Sequence, residues 1–318
     1  MVDLKAKFGL KSLPVSQDPS DALGRVLLLD GDGSAYKAAF TARKLETCMR
    51  RFEVFVLEYM FLAKCSSARV HLTPSGCFKN GRHLLKGVKP YQGNRDGKAK
   101  PPLLEPIRSY ASEYFKNHPD ITIIQNFDVE ADDGLMIDHY RMDNGVLVSE
   151  DKDLQISPFE SYDINTGKFK VLNQGDRYGY LEEHYTPSGT LKVKGKGTAF
   201  FFAQMLMGDT ADNVAGLQKL NNKLCGARAA LNALQDCTNE EEAVGVVLDG
   251  YRAINQNPLP EAEALWLLRN REDSALKFLQ ETGLSATNLD FLLTKNEEDW
   301  KDTNVHHSST GADCTEST

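Results

Sequence analysis

The sequence predicts an α/β protein whose mostly parallel sheet is flanked by helices and followed by a helical C-terminal part. Three observations predict it. Short, mostly apolar runs at residues 26–29, 68–72, 121–124 and 146–148 have the length and β-branched content of strands. Helical patterns lie between them, which is the alternation of a parallel sheet. Acidic clusters follow three of the runs, and open α/β sheets build their sites at the carboxyl ends of parallel strands.

Each element has its own justification. The first run ends at Asp30, and a long helical stretch is expected from about 34 to 65. Its apolar residues Leu45, Met49, Phe52, Val56, Tyr59 and Met60 recur at three- and four-residue spacing. Residues 75–100 contain glycines and little apolar periodicity, so they read as a loop or marginal helix. Pro101-Pro102 opens a helix with Leu103, Leu104, Ile107, Tyr110 and Tyr114 on one face. Another helix starts near Ala131. Residues 159–197 read as β-like pieces with turns, and helices are expected at 200–207, 227–234 and 262–268. The expected organisation is a flexible leader (1–24), an α/β core (25–190) with a loop over it (75–100), a helical region (191–295) and a disordered tail (296–318).

Composition excludes some classes. No apolar stretch is long enough to span a membrane, and residues 1–24 lack the apolar core of a signal peptide. Six cysteines without paired or metal-finger spacing read as reduced thiols in a cytoplasm. Net charge is −8, but it is unevenly spread. Residues 126–153 hold nine acids and two bases, whereas residues 79–100 hold seven Lys or Arg and one acid. A basic stretch facing an acidic pocket suits a polyanion held through cations, although a solvated basic loop reads the same way.

Four acidic clusters carry the chemistry: Asp30-Gly31-Asp32, Glu130-Ala131-Asp132-Asp133, Glu150-Asp151-Lys152-Asp153 and Gly208-Asp209-Thr210-Ala211-Asp212. In an extended segment Asp151 and Asp153 share a face. On a helix Glu130 with Asp133, and Asp209 with Asp212, share a side. Any one acid has a plain alternative; Asp132 or Asp133 can simply cap a helix. Four clusters around strand ends are not required by capping. Converging carboxylates repel without cations, and Mg²⁺ takes oxygen ligands of this kind. The pattern is that of a two-metal phosphodiesterase. Lys192, Lys194 and Lys196 alternate, so an extended ribbon presents them on one side; a mobile loop is the alternative. Gly216, and Gly226 before Ala227-Arg228, suggest a turn between two helices, whose N-terminus can bind phosphate.

Val129-Glu130-Ala131-Asp132-Asp133, Ser149-Glu150-Asp151-Lys152-Asp153 and Met207-Gly208-Asp209-Thr210-Ala211-Asp212-Asn213 occur in order. With Leu29-Asp30-Gly31 and Tyr91-Gln92-Gly93-Asn94-Arg95, they resemble the 5′-nuclease superfamily of flap endonucleases. The small size is most similar to the bacteriophage 5′-to-3′ exonucleases. The resemblance covers roughly residues 25–235 and implies a PIN-like core with a helix–three-turn–helix element. It implies hydrolysis of DNA phosphodiesters from 5′ ends, on duplex or flap, with two Mg²⁺ ions that Mn²⁺ can replace. It also implies RNA–DNA hybrids and replication proteins as further partners, and a host-cell cytoplasm. Asp30, Glu130 and Asp132 would serve the first metal. Asp151, Asp153, Asp209 and Asp212 would serve the second, with Asp133 close by. Residues 79–100, with Lys86 and Lys89, would form the arch that admits a 5′ end. Tyr91 would stack on the terminal base, and Arg95 would contact phosphate. Gly216, Gly226 and Arg228, with the three alternating lysines, would meet the duplex.

Three departures stand out. The family often carries an acid after its second strand, where this chain has Thr73-Pro74; Asp32 is a candidate to supply that charge. The lysine after the arch tyrosine is Gln92, and residues 218–223 read as an insertion in the turn. Two other readings compete. Asp30-Gly31-Asp32-Gly33-Ser34 loosely resembles an aspartyl phosphatase motif with Asp30 as nucleophile. A DNA-binding relative without catalysis is the other.

Overall fold

The structure is a computed structural model and describes residues 24–302. Six strands form the main sheet: β1 (Val26–Asp30), β2 (Ser67–Leu72), β3 (Ile121–Gln125), β4 (Gly145–Val148), β5 (Ser161–Asp163) and β6 (Lys168–Lys170). Their order is β3-β2-β1-β4-β5-β6, all parallel except for the β5–β6 hairpin. The strand order departs in both directions from β1, so the β1–β4 boundary is a topological switch point, where such sheets open a crevice.

Side chains of β1 alternate between two cores. Leu27 and Leu29 pack with α1 (Gly31–Thr41), α2 (Leu45–Leu62) and α3 (Leu104–Tyr114). Leu28 packs on the other side with α4 (Ala131–Arg141) and α5 (Thr198–Met207). Gly31 has no room for a side chain: a Cβ there would lie 2.6 Å from the His71 carbonyl oxygen. That close approach lets α1 start directly at the end of β1.

The single helix expected over 34–65 is two. Ala42 and Lys44 are extended and break it. A continuous helix of that length would run about 48 Å, past the edge of the sheet; the break lets both halves cover one face. The buried face of α3 is Leu104, Ile107 and Ala111, whereas Tyr110 is exposed.

Beyond β6, an antiparallel ribbon pairs β7 (Tyr180–Tyr185) with β8 (Leu191–Lys196). The rest is helical: α5, α6 (Ala227–Leu234), α7 (Glu240–Ala253), α8 (Leu259–Leu265), α9 (Ala275–Glu281) and α10 (Ala286–Asn296). α5 is buried almost all round, as its Phe200-Phe201-Phe202 run requires. α7, α9 and α10 lay outside the expected list. Their caps are nonetheless plain in the structure: the Asn239, Ser274 and Ser285 side chains accept from backbone N–H groups three residues on.

The tail expected to be disordered from 296 is folded at its start. Lys301 bridges to Leu85, and Trp300 accepts from the Lys86 backbone N–H. Residues 303–318, like the leader 1–23, lie outside the described residues. Among the described residues, no helix is long and apolar enough to cross a membrane.

Candidate metal centre

The crevice at the switch point collects the acids. Asp30 ends β1 and caps α1, accepting from the Asp32 N–H at 3.0 Å and from Ser149 Oγ at 3.0 Å. Ser149 follows β4, and its Oγ also accepts from the Asp151 N–H. Asp151 in turn accepts from the Asp153 N–H at 2.9 Å. Asp153 begins a 3₁₀ turn rather than lying in an extended run, so the expected alternation does not apply. Helical spacing does not apply to Asp209 and Asp212 either. Both follow α5 in a loop closed by the Asp209–Val214 bridge. Gly208 starts that loop at φ +72°, and a Cβ there would sit 2.5 Å from the carbonyl oxygens of Val214 and Ala215.

The charges fall into two adjoining groups. Burial, then Asp32 and Asp151, push the Asp30 carboxyl up to about 7. Burial, then Asp30 and Asp151, raise Asp132 well above the usual carboxylate range. Burial and Asp151 push Asp153 up to about 8. Asp151 therefore borders both groups. In the second, ligand atoms of Asp153, Asp209 and Asp212 lie within 4.8 Å of one another. The Lys152 ammonium sits against this group, 3.0 Å from Asp153 Oδ1 and paired with Asp209. Gln204, the lone amide in the apolar α5, donates to Asp153 at 2.5 Å. A set of oxygen donors that already draws in a cation fits a hard divalent metal.

Glu130 stands apart from the other acids of its group. Its carboxylate accepts from Tyr91 Oη at 2.7 Å and Gln92 Nε2 at 3.3 Å, and pairs with Arg82 and Lys79. Arg82, then Lys79, outweigh its burial and hold it below its ordinary range. Gln92 also donates to Asp212 at 2.9 Å, and Arg95 pairs with Asp212 at 2.5 Å. Gln92 thus ties Glu130 to Asp212 through one amide nitrogen.

Several expectations are corrected here. Asp133 faces away from the crevice. It completes a capping box with Glu130 and makes two bonds to the buried Arg82, at 2.6 and 2.8 Å. Lys196 is buried against Ser161, and burial followed by Lys170 lowers its ammonium to about 7. Only Lys192 and Lys194 of the three are exposed, because the end of β8 turns into the core. Asp32, the candidate to supply the missing charge, stands beside Asp30, pairs with Arg108 at 3.0 Å and accepts from the Thr73 N–H. Lys86 pairs with Asp299 and Asp302, and Arg228 with Glu183 on the ribbon. Lys89 is exposed on the segment, Gly226 caps α6, and Gly216 packs against Gly208. Arg82, Lys152, Gln204 and Ser149 were not foreseen. A lysine inside an acidic run and an amide inside an apolar helix were available signals for two of them.

Crowding of these acids has a measurable consequence. Raised values mean that the folded state holds protons that the unfolded chain has released. The stability tied to them is full below the ordinary value of 3.8 and is lost as pH rises toward 7 for Asp30 and 8 for Asp153. Asp153→Asn is expected to raise the melting temperature of the metal-free protein, by more at pH 8 than at about pH 5. Calorimetry in chelator checks it, and an equal or lower melting temperature at pH 8 would mean that Asp153 carries no such burden.

No protein-family model and no curated protein matches the chain. Solved structures do. The bacteriophage T5 D15 protein co-crystallised with metal ions aligns at TM-score 0.53 and 14% identity, over 86% of this chain and 98% of that one. The T5 5′-exonuclease with bound zinc aligns at 0.52 and 15%, over 86% and 98%. A T5 D15 flap endonuclease complex with DNA and metal ions aligns at 0.53 and 15%, over 85% and 99%. The sheet order, the crossing helices and the helical C-terminal part described above are therefore the fold of the bacteriophage T5 5′-nucleases.

Proposed function

We propose that this chain is a metal-dependent 5′-nuclease that hydrolyses DNA phosphodiesters from 5′ ends. One observation carries the reading: two adjoining acidic groups meet at Asp151 in the switch-point crevice, with Arg95, Lys79 and Lys152 among them. The shared fold with DNA- and metal-bound T5 structures supports it.

In this reading Asp30, Glu130 and Asp132 hold one divalent ion, and Asp151, Asp153, Asp209 and Asp212 hold a second. Mg²⁺ is the expected metal, with Mn²⁺ as substitute. When bound, such ions supply charge neutralisation and an activated water. The chain supplies the rest. Ser149 and Gln204 orient Asp30 and Asp153 by donating to them. Arg95 reaches phosphate from its exposed position beside Asp212, and the Tyr91 ring, half-buried beside Glu130, stacks on the terminal base. Lys86, Lys89, Lys192, Lys194, Gly216, Gly226 and Arg228 track the duplex, with Lys86 and Arg228 exchanging their carboxylate partners for phosphate. Work during phage-type replication, on RNA primers as well as DNA, follows the same reading. An aspartyl phosphatase would leave Glu130, Asp132 and the basic stretch 79–100 without a task.

Incubating 5′-labelled and 3′-labelled duplexes, with and without a flap, in Mg²⁺ and then in chelator tests it. Short 5′-labelled products that vanish in chelator are expected. Binding without cleavage would favour a non-catalytic relative, and cleavage of a phosphomonoester alone would favour the phosphatase.

A further inference from the structure

The crevice has more cations at its rim than the assignments above use. Arg108 is taken by Asp32 and Lys37 by Glu150; four others lie near the acids, and their surroundings separate them. Arg82 is buried and its two terminal nitrogens are taken by Asp133, Glu130 and the Trp266 carbonyl. Lys152 lies against Asp153 and Asp209, inside the second group. Arg95 is exposed beside Asp212. Lys79 remains, on the other side of Gln92, whose single Nε2 donates to both Glu130 and Asp212. Its Nζ is 2.6 Å from Gln92 Oε1 and 3.3 Å from Glu130 Oε1, and its side chain is about one-third exposed.

The backbone beneath Lys79 is tightly fixed. Lys79, Asn80 and Gly81 are successive left-handed residues, at φ +53°, +53° and +69°. Phe78 and Asn80 donate to the carbonyls of Phe127 and Asp128, just before Glu130, and Arg82 anchors the segment to α4. A compact ammonium on a flexible stem is thus aimed at the gap between Glu130 and Gln92, accessible to solvent yet already ordered. Gln92 is neutral and cannot supply charge there. A phosphodiester meeting the acids beside Gln92 would have Lys79 on one side and Arg95 on the other. Positive charge pre-set where negative charge grows lowers the barrier.

We propose that Lys79 is a further catalytic residue, donating to a non-bridging phosphate oxygen beside Glu130 while Arg95 serves the side of Asp212. This rests on the nuclease reading. With Glu130 committed to a metal, Lys79 would be free to meet the phosphate.

The test is single-turnover cleavage of a 5′-labelled flap by wild type, Lys79→Ala, Lys79→Met and Lys79→Ala with Gln92→Lys. Flap affinity in Ca²⁺, the Mg²⁺ concentration for half-maximal rate and the melting temperature are measured alongside. Both single variants are expected to melt like wild type and to lose about a hundredfold in rate, with little change in affinity. Lysine at 92 starts within reach of the same point and is expected to recover about tenfold of that loss. A rate within about threefold of wild type in both single variants overturns the proposal. So does a loss that Gln92→Lys leaves unchanged and that excess Mg²⁺ repairs, since Lys79 then merely positions Glu130. Wild type that releases no label overturns the nuclease reading, and this proposal with it.

Discussion

Alanine at Asp151 or Asp153 is expected to cut cleavage by about a thousandfold or more while leaving duplex binding in place. Asp151 raises the protonation of Asp30, Asp132 and Asp153 alike, so it borders both acidic groups. Asp153 is buried and tied to Lys152 and Gln204. Removing either carboxylate takes away a ligand without removing a contact to DNA, and it lessens repulsion of phosphate. Single-turnover rates in Mg²⁺, set beside affinities in Ca²⁺, check both halves. Near-normal turnover in both variants would dismiss the metal assignment.

Arg82→Ala is expected to be the most destabilising single change near the crevice, by about 3–5 kcal/mol. The guanidinium and the Asp133 carboxylate are both buried, and their mutual bonds are joined by the Trp266 carbonyl and the Leu268 N–H. Without Arg82 the buried Asp133 carboxylate loses its partner. Asp133→Asn in an Arg82→Met background is expected to cost less than the two single changes added together, because the charges are removed as a pair. Urea unfolding of the four proteins measures this coupling. Additive costs would mean that the pair is not a unit, and would reopen a role for Asp133 at the metal.

The parallel sheet was legible because its strands are nearly continuous apolar runs, and the acidic clusters because they follow those runs. Backbone at the acids was not legible. Spacing of two in Asp151–Asp153 and three in Asp209–Asp212 suggested a strand and a helix, but the segments are turns held by carboxylate–amide bonds local to each loop. Alternation placed Lys192, Lys194 and Lys196 on one face correctly as geometry. It could not say that the core closes over the last of them. Asp133 has the same chemistry as Asp132, one residue away. Only the position of Arg82, 51 residues distant, turns it from the crevice.

Lys152 gives the second acidic group a cation of its own. Its burial is outweighed by Asp153 and Asp209, which hold its ammonium above the ordinary range. Half of its side chain is nonetheless open to water. In the proposed reading, a divalent ion held by Asp153, Asp209 and Asp212 would displace this ammonium, so its loading would be an exchange of charge rather than an addition. A monovalent ion would gain little over the resident ammonium, and the lysine would then set a threshold for what the pocket accepts.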